Sequence, residues 1–181
     1  DANGRLVGDM FDGEGFVRGL RRKGLPLPGA RALVVGCGGV GCAIAASLAG
    51  AGVGTLALFD PRTASAEALA ARLRQHHPAL QVWVGSKDPQ GFDLVVNATP
   101  LGMNADDPLP LDVDRLSPGS FVGEVVMKAE MTPLLEAARA RGCTVQVGTD
   151  MLFEQIPAYL SFFGLPTTTP EVLRAGARLA G

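Results

Sequence analysis

Gly36, Gly38 and Gly41 stand in the spacing G-x-G-x-x-G within Gly36-Cys37-Gly38-Gly39-Val40-Gly41, the pattern a polypeptide uses to cradle a dinucleotide pyrophosphate. The first glycine permits a tight turn, the second lets backbone approach the phosphates, and the third lets a helix lie close to its strand. The phosphates then meet the helix's unpaired N–H groups and the positive end of its dipole. In a chain of 181 residues with 24 glycines, an ordinary glycine-rich turn would also satisfy the spacing. Asp60 adds the second half of the signature, because a carboxylate about 20 residues on accepts the ribose hydroxyls. It favours NAD over NADP, since a 2′-phosphate would face like charge. Arg62 pulls the other way, as a guanidinium there could clamp that phosphate.

Other groups with chemical potential take plainer readings. Cys37, Cys42 and Cys143 are odd in number and lack C-x-x-C spacing, which suggests neither a disulfide framework nor a zinc site. Nothing near Cys37 in sequence would activate its thiol, so it reads as a small packing residue within the phosphate loop. His76 and His77 follow a helix end, where a partly positive side chain suits the dipole, and no metal is expected. Arg21, Arg22 and Lys23 read as a solvated helix end. A net charge of -2 gives no reason to expect nucleic acid or an anionic membrane as partner. No apolar run reaches the roughly 18 residues of a membrane span, and no signal peptide is visible, so a reducing cytoplasm is expected.

The elements that would position these groups alternate along the chain. Asn3 to Val7 reads as a short strand or extended connector, and Asp12 as the N-cap of a helix through about Lys23. Strands are expected at Arg31–Val35, Thr55–Phe59, Leu80–Val84, Phe92–Asn97, Phe121–Val126 and Thr144–Val147. Helices fall between or after them: Gly39 to Leu48, a Thr63-capped helix through about Gln75, one begun by Thr132-Pro133, one begun at Thr149, and a last begun by Thr169-Pro170. Pro157 should kink or break the fourth of these. The alternation implies an α/β fold, a doubly wound parallel sheet of Rossmann type in the order 3-2-1-4-5-6, with helices on both faces in a three-layer α/β/α arrangement.

Several spellings go beyond the general fold. Gly8-Asp9-Met10-Phe11-Asp12-Gly13-Glu14-Gly15-Phe16 resembles the G-D-N-T-D-G-x-G-F segment of shikimate dehydrogenases and their quinate/shikimate relatives. Asn97-Ala98-Thr99-Pro100-Leu101-Gly102-Met103 is similar to their N-A-T-P-x-G-M loop, and the stretch from Gly148 to Gln155 to their G-x-x-M-L-x-x-Q. Glu124-Val125-Val126-Met127-Lys128 through Thr132-Pro133-Leu134-Leu135 resembles D-x-V-Y-x-P-x-x-T-P-L-L.

The resemblance implies reversible hydride transfer between NAD or NADP and 3-dehydroshikimate/shikimate, or quinate, in aromatic amino-acid biosynthesis. Asp12 is implied as the catalytic acid/base and Gln155 as a holder of a substrate hydroxyl. Met151 and Gly148 are implied to lie near the nicotinamide, and Asn97, Ala98, Thr99, Met103, Val125 and Met127 to help bind the cofactor. Loop-stabilising bonds are an equally simple reading of Asn97 and Thr99. Lys128 is assigned no proton-transfer role.

The division expected is a connector and catalytic helix over 1–23, a dinucleotide-binding unit over 24–148 and C-terminal helices over 149–181. The family's N-terminal substrate domain, which supplies a catalytic lysine, has no counterpart in these residues, and Asp1 in place of an initiator Met fits removal of upstream material. A homodimer is possible. Met10, Phe11, Met127 and Ala129 depart from the family pattern, pointing to the divergent shikimate dehydrogenase-like branch. Met10, Phe11 and Met127 also sustain a second reading, a noncatalytic sensor that binds the same ligands, against which the retained Asp12 and Gln155 argue. A methylenetetrahydrofolate dehydrogenase or glutamyl-tRNA reductase relative is a third, which the N-A-T-P-L-G-M and G-x-x-M-L-x-x-Q spellings disfavour.

Overall fold

In the computed structural model, which describes residues 3–177, the apolar run Arg31–Val35 (β1) is a central strand with neighbours on both sides. Parallel to it on one side lie Thr55–Phe59 (β2) and Gln81–Val84 (β3), and on the other Leu94–Asn97 (β4), Phe121–Glu124 (β5) and Thr144–Gln146 (β6). The sheet order β3-β2-β1-β4-β5-β6 is the order the sequence predicts. Order reverses between β1 and β4, which opens a crevice at the carboxyl ends of those strands.

Residues along each strand alternate between two apolar layers. Val34, Leu56, Leu58, Leu94 and Val96 pack under helices Asp12–Arg22 (α1), Gly39–Gly50 (α2) and Thr63–His76 (α3). On the opposite face Leu33, Val35, Val95 and Val122 meet Leu116, Leu134, Leu135 and Ala138, the last three from Pro133–Ala140 (α4). Gly148–Phe162 (α5) and Pro170–Gly176 (α6) complete the chain. No helix among the described residues is long and apolar enough to cross a membrane.

Helix α1 is held between α2 and α5 by close approach. A side chain at Gly13 would strike the Ala43 carbonyl oxygen at 2.1 Å, and one at Gly15 the Met151 carbonyl oxygen at 2.6 Å. The absence of side chains there lets Phe16 and Leu20 reach the core, each fully buried and each contributing about 2–3 kcal/mol. The Phe16 ring lies where a Cβ at Gly123 of β5 would sit, so strand and helix are matched to each other.

Several local expectations are corrected. Asp12 is the first helical residue and not the cap; Phe11 occupies the cap position and no side chain caps this end. Thr63 likewise begins α3 inside the helix, with Arg62 at its cap. Asn3 to Val7 forms no strand. The helix expected at Thr149 begins at Gly148 and runs unbroken through Pro157. Proline removes one N–H from that ladder, while α1 braces the helix on both sides of it. Gly15 meets Met151 and Gln155, and the Phe11 ring packs edge-on against Tyr159 and Phe162. The Thr132 and Thr169 caps form as the sequence predicts, accepting from Leu135 and Val172 N–H groups.

Candidate functional site

The turn leaving β1 is shaped for a phosphate. Gly36 adopts φ +101°, and a Cβ there would strike the Ala98 carbonyl at 2.7 Å, so only glycine fits between the two loops. Gly41 is pressed on the Gly36 carbonyl oxygen, where a Cβ would lie 2.0 Å away, which brings α2 down onto its strand. Gly38 and Gly39 face open space, and no side chain caps α2. Its first N–H groups and dipole are therefore turned toward whatever occupies that space, and a pyrophosphate fits it. Val40 is half-buried against the core beneath.

Asp60, just past β2, closes the other side of this turn. Its carboxylate accepts the Cys37 N–H at 2.8 Å and the Arg62 N–H at 2.8 Å, with the Arg62 guanidinium 3.7 Å away. Burial would raise its pKa, but the two N–H bonds and the arginine hold it below the usual carboxylate range. Arg62 itself is 77% exposed and free to reorient. Burial, with the Asp60 charge nearby, pushes the Cys37 thiol up to about 12, and its Sγ lies 3.7 Å from the Phe59 carbonyl. Such a thiol is inert at neutral pH, in keeping with its packing role.

Beyond the crevice, β4 ends at Asn97, which is fully buried. Its Nδ2 donates to the Leu101 carbonyl at 3.0 Å, while its Oδ1 accepts the Thr99 N–H at 3.1 Å and the Thr99 hydroxyl at 2.6 Å. The loop-stabilising role of both residues is thus real, and it sets the course of Ala98 past the glycine turn. Asp107 does similar work further along, accepting N–H groups of Gly102 and Asn104. Met103 and Met127 stand exposed on two loops that adjoin where Gly102 meets Val126 and Thr132.

A Cβ at Gly148 would strike the Val126 carbonyl oxygen at 2.0 Å, which draws the start of α5 against the loop after β5. Met151 is buried, and its carbonyl and Gln155 together form the surface on which Gly15 rests. Gln155 Oε1 is buried without a hydrogen-bond partner among the described residues. Asp12, half-buried, lies one turn before Gly15 on the same helix. Asp60, the glycine turn, the loop from Asn97 and the start of α5 thus leave the carboxyl ends of β2, β1, β4 and β6, while Asp12 lies on α1, whose Gly15 rests on Met151 and Gln155.

The substituted neighbours of Asp12 point elsewhere. Met10 lies in a groove between α2 and α3 with Cys42, Leu69 and Arg72, and Phe11 packs on Tyr159 and Phe162.

Two features escape sequence reasoning. Arg22 and Lys23, though exposed, are also ion-paired: Arg22 meets Glu154 at 2.8 Å and Lys23 meets Asp150 at 3.0 Å. Arg174 of α6 reaches the same two carboxylates at 3.4 and 2.9 Å. Only the i, i+4 spacing of Asp150 and Glu154 hints at this cluster, which fixes α5, and with it Gln155, against α1. The second is Glu124, the last residue of β5 and fully buried. Its Oε2 accepts the Thr132 hydroxyl at 3.0 Å, and its Oε1 has no partner. Burial pushes this carboxyl up to about 7, with Thr132 and the neighbouring Asn97 offsetting only part of the effect.

Comparison with known proteins places these observations in a lineage. A model described as the ThiF family matches residues 25–70, the stretch that holds the glycine turn. The shikimate dehydrogenase (NADP(+)) of Rhodospirillum rubrum is 37% identical over 184 residues, covering 96% of this chain and 64% of that protein. The quinate/shikimate dehydrogenase (NAD(+)) of Corynebacterium glutamicum strain R is 39% identical over 96% of this chain and 62% of its own length. Among solved structures, quinate dehydrogenase from Corynebacterium glutamicum in complex with NAD superposes with a TM-score of 0.81 at 36% identity, covering 97% of this chain and 64% of that one. The 181 residues therefore span less than two thirds of the length of the relatives they match.

Proposed function

Because the chain is homologous along nearly its whole length to the shikimate/quinate dehydrogenases, we propose that it is the NAD(P)-binding part of an oxidoreductase that interconverts 3-dehydroshikimate and shikimate, or acts on quinate. The observation that supports this reading is the open glycine turn at the uncapped start of α2, beside the crevice where the sheet order reverses between β1 and β4. A nicotinamide cofactor would supply the hydride. The chain's own residues do the rest. The Gly38–Gly41 turn holds the pyrophosphate and Asp60 the adenosine ribose. The 97–103 and 125–127 loops, with Gly148 and Met151, confine the nicotinamide end.

Asp12 moves a proton at the reacting oxygen, a service worth typically about 10²–10⁴ in rate. The unpartnered Gln155 Oε1 accepts a hydrogen bond from a ring hydroxyl, which relieves a buried oxygen that is otherwise unsatisfied. The protein works in the cytoplasm on small molecules, and the division 1–23, 24–148 and 149–181 assigns Asp12, the nucleotide site and Gln155 to separate segments. Calorimetric titration of residues 1–181 with NADH and NADPH, followed by a shikimate oxidation assay at saturating cofactor, tests the reading. Binding with negligible turnover is expected of these residues alone, since one hydroxyl contact from Gln155 does not by itself fix the ring within roughly 3–3.5 Å of the nicotinamide. Failure to bind either cofactor would sink it.

A further inference from the structure

We propose that Glu124 is a positioning residue whose ionisation loosens the two loops that leave β4 and β5, and so weakens cofactor binding as the pH rises. The cofactor part of this inference rests on the function proposed above; the loop part does not.

The geometry gives Glu124 an unusual share of the local architecture. It lies directly opposite Asn97 in the parallel register of β4 and β5, at the last paired position before both strands become loops. Asn97 holds the 97–101 turn through Thr99 and Leu101. Thr132, the one hydroxyl bonded to Glu124, also caps α4 and lies against Gly102, as does Val126. One buried carboxyl therefore joins the turn after β4, the loop after β5 and the start of α4.

Beyond Thr132 and Asn97, which favour the charged form only in part, no group among the described residues compensates its charge. Asp93, just before β4 and at the far end from Glu124, accepts the Arg31 N–H. Strand β6 contributes Gln146, which donates to the Phe16 carbonyl. On α4, Glu136 and Arg139 are exposed, as are Lys128 and Glu130 on the loop after β5 and Asp106 on the facing loop. Asp107 is committed to Gly102 and Asn104, and Asp150 and Glu154 of α5 to Lys23, Arg22 and Arg174. Neutral, Glu124 suits its buried, packed environment; ionised, it needs another donor or a water for Oε1, and its partner Thr132 lies at the contact with Gly102 and Val126 that would have to open. The carboxyl's raised pKa places that change near neutrality.

The test is hydrogen exchange of residues 1–181 at pH 6 and pH 8.5, corrected for intrinsic rates, in the wild type and in Glu124→Gln, with NADH and NADPH titrations at both pH values. The expected result is faster exchange at high pH in the 98–103 and 125–132 peptides of the wild type, no such response in the glutamine variant, and cofactor affinity at least about threefold weaker at pH 8.5 in the wild type alone. Equal wild-type protection at the two pH values, or the same response in the variant, overturns the proposal. If the variant does not fold, the carboxyl carbon resonances of wild-type glutamates decide: a titration near neutrality supports the proposal and its absence overturns it. Loop exchange that responds to pH in a chain that binds neither cofactor would refute the proposed function while leaving the latch intact.

Discussion

The backbone N–H of Cys37 donates to the carboxylate of Asp60 at 2.8 Å, tying the glycine turn after β1 to the end of β2. The residue that would read the adenosine ribose is thus also a strut of the phosphate turn. A carboxylate fixed in this way cannot swing aside for a 2′-phosphate.

NADH should therefore bind more tightly than NADPH, by roughly tenfold or more, since a like-charge juxtaposition costs on the order of kilocalories. Asp60→Ala should weaken both cofactors, because the Cys37 N–H loses its acceptor and the turn its brace. Titrations at matched salt decide, and tighter NADPH binding would mean that Arg62 governs the site.

In protein assayed with its ring substrate, Asp12→Asn should lower kcat by about 10²-fold or more with cofactor affinity nearly unchanged. Because Asp12 makes no capping bond, the same change should alter stability by no more than about 0.5 kcal/mol. Steady-state kinetics and urea unfolding together separate the roles. Full turnover in the variant would remove Asp12 from the chemistry.

Glu124 should leave its mark on stability. Its folded pKa of about 7 lies above the ordinary 4.5, so between those values the folded state keeps a proton that the unfolded state releases. Stability from this group falls as pH rises through that window, by about 3 kcal/mol in all, and is flat beyond it. Glu124→Gln should remove the slope, gaining on the wild type from pH 5 to pH 8 in denaturant midpoint. Parallel profiles for the two proteins would contradict the assignment.

Gly15→Ala should destabilise by roughly 2 kcal/mol or more, since the added methyl meets the Met151 carbonyl and Gln155 Cβ at 2.6 and 2.8 Å. Gly50→Ala, in open space at the end of α2, should be neutral or stabilise by up to about 1 kcal/mol. Unfolding midpoints of the pair provide the comparison, and equal effects would show that α1 yields where it is taken to be rigid.

The glycine turn and the Thr132 and Thr169 caps could be read from the sequence because each rests on residues close together in the chain, and the sheet order because alternating strands and helices restrict the topology even though β1 and β4 pair from about sixty residues apart. Where Arg22, Lys23, Asp150 and Glu154 go could not, since their partners lie more than a hundred residues apart and each looks like an ordinary surface charge in isolation. Glu124 was hidden for a different reason. Its burial depends on the register that sets it opposite Asn97 and on the Thr132 hydroxyl, neither of which a local pattern gives. Asp12 shows the reverse error, an aspartate at a helix start that looks like a cap and forms no capping bond.

The insertion of α1 between α2 and α5 also determines where this chain can be cut. Although it comes first, α1 supplies Phe16 and Leu20 to the middle of the core and covers Gly123 and Gln146. A fragment trimmed to start at Leu25 would keep every strand and the whole phosphate turn, yet lose the wedge on which the helical layer closes. Such a fragment should retain helical far-ultraviolet dichroism without a cooperative melt, so the minimal folding unit is set by a helix outside the nucleotide motif.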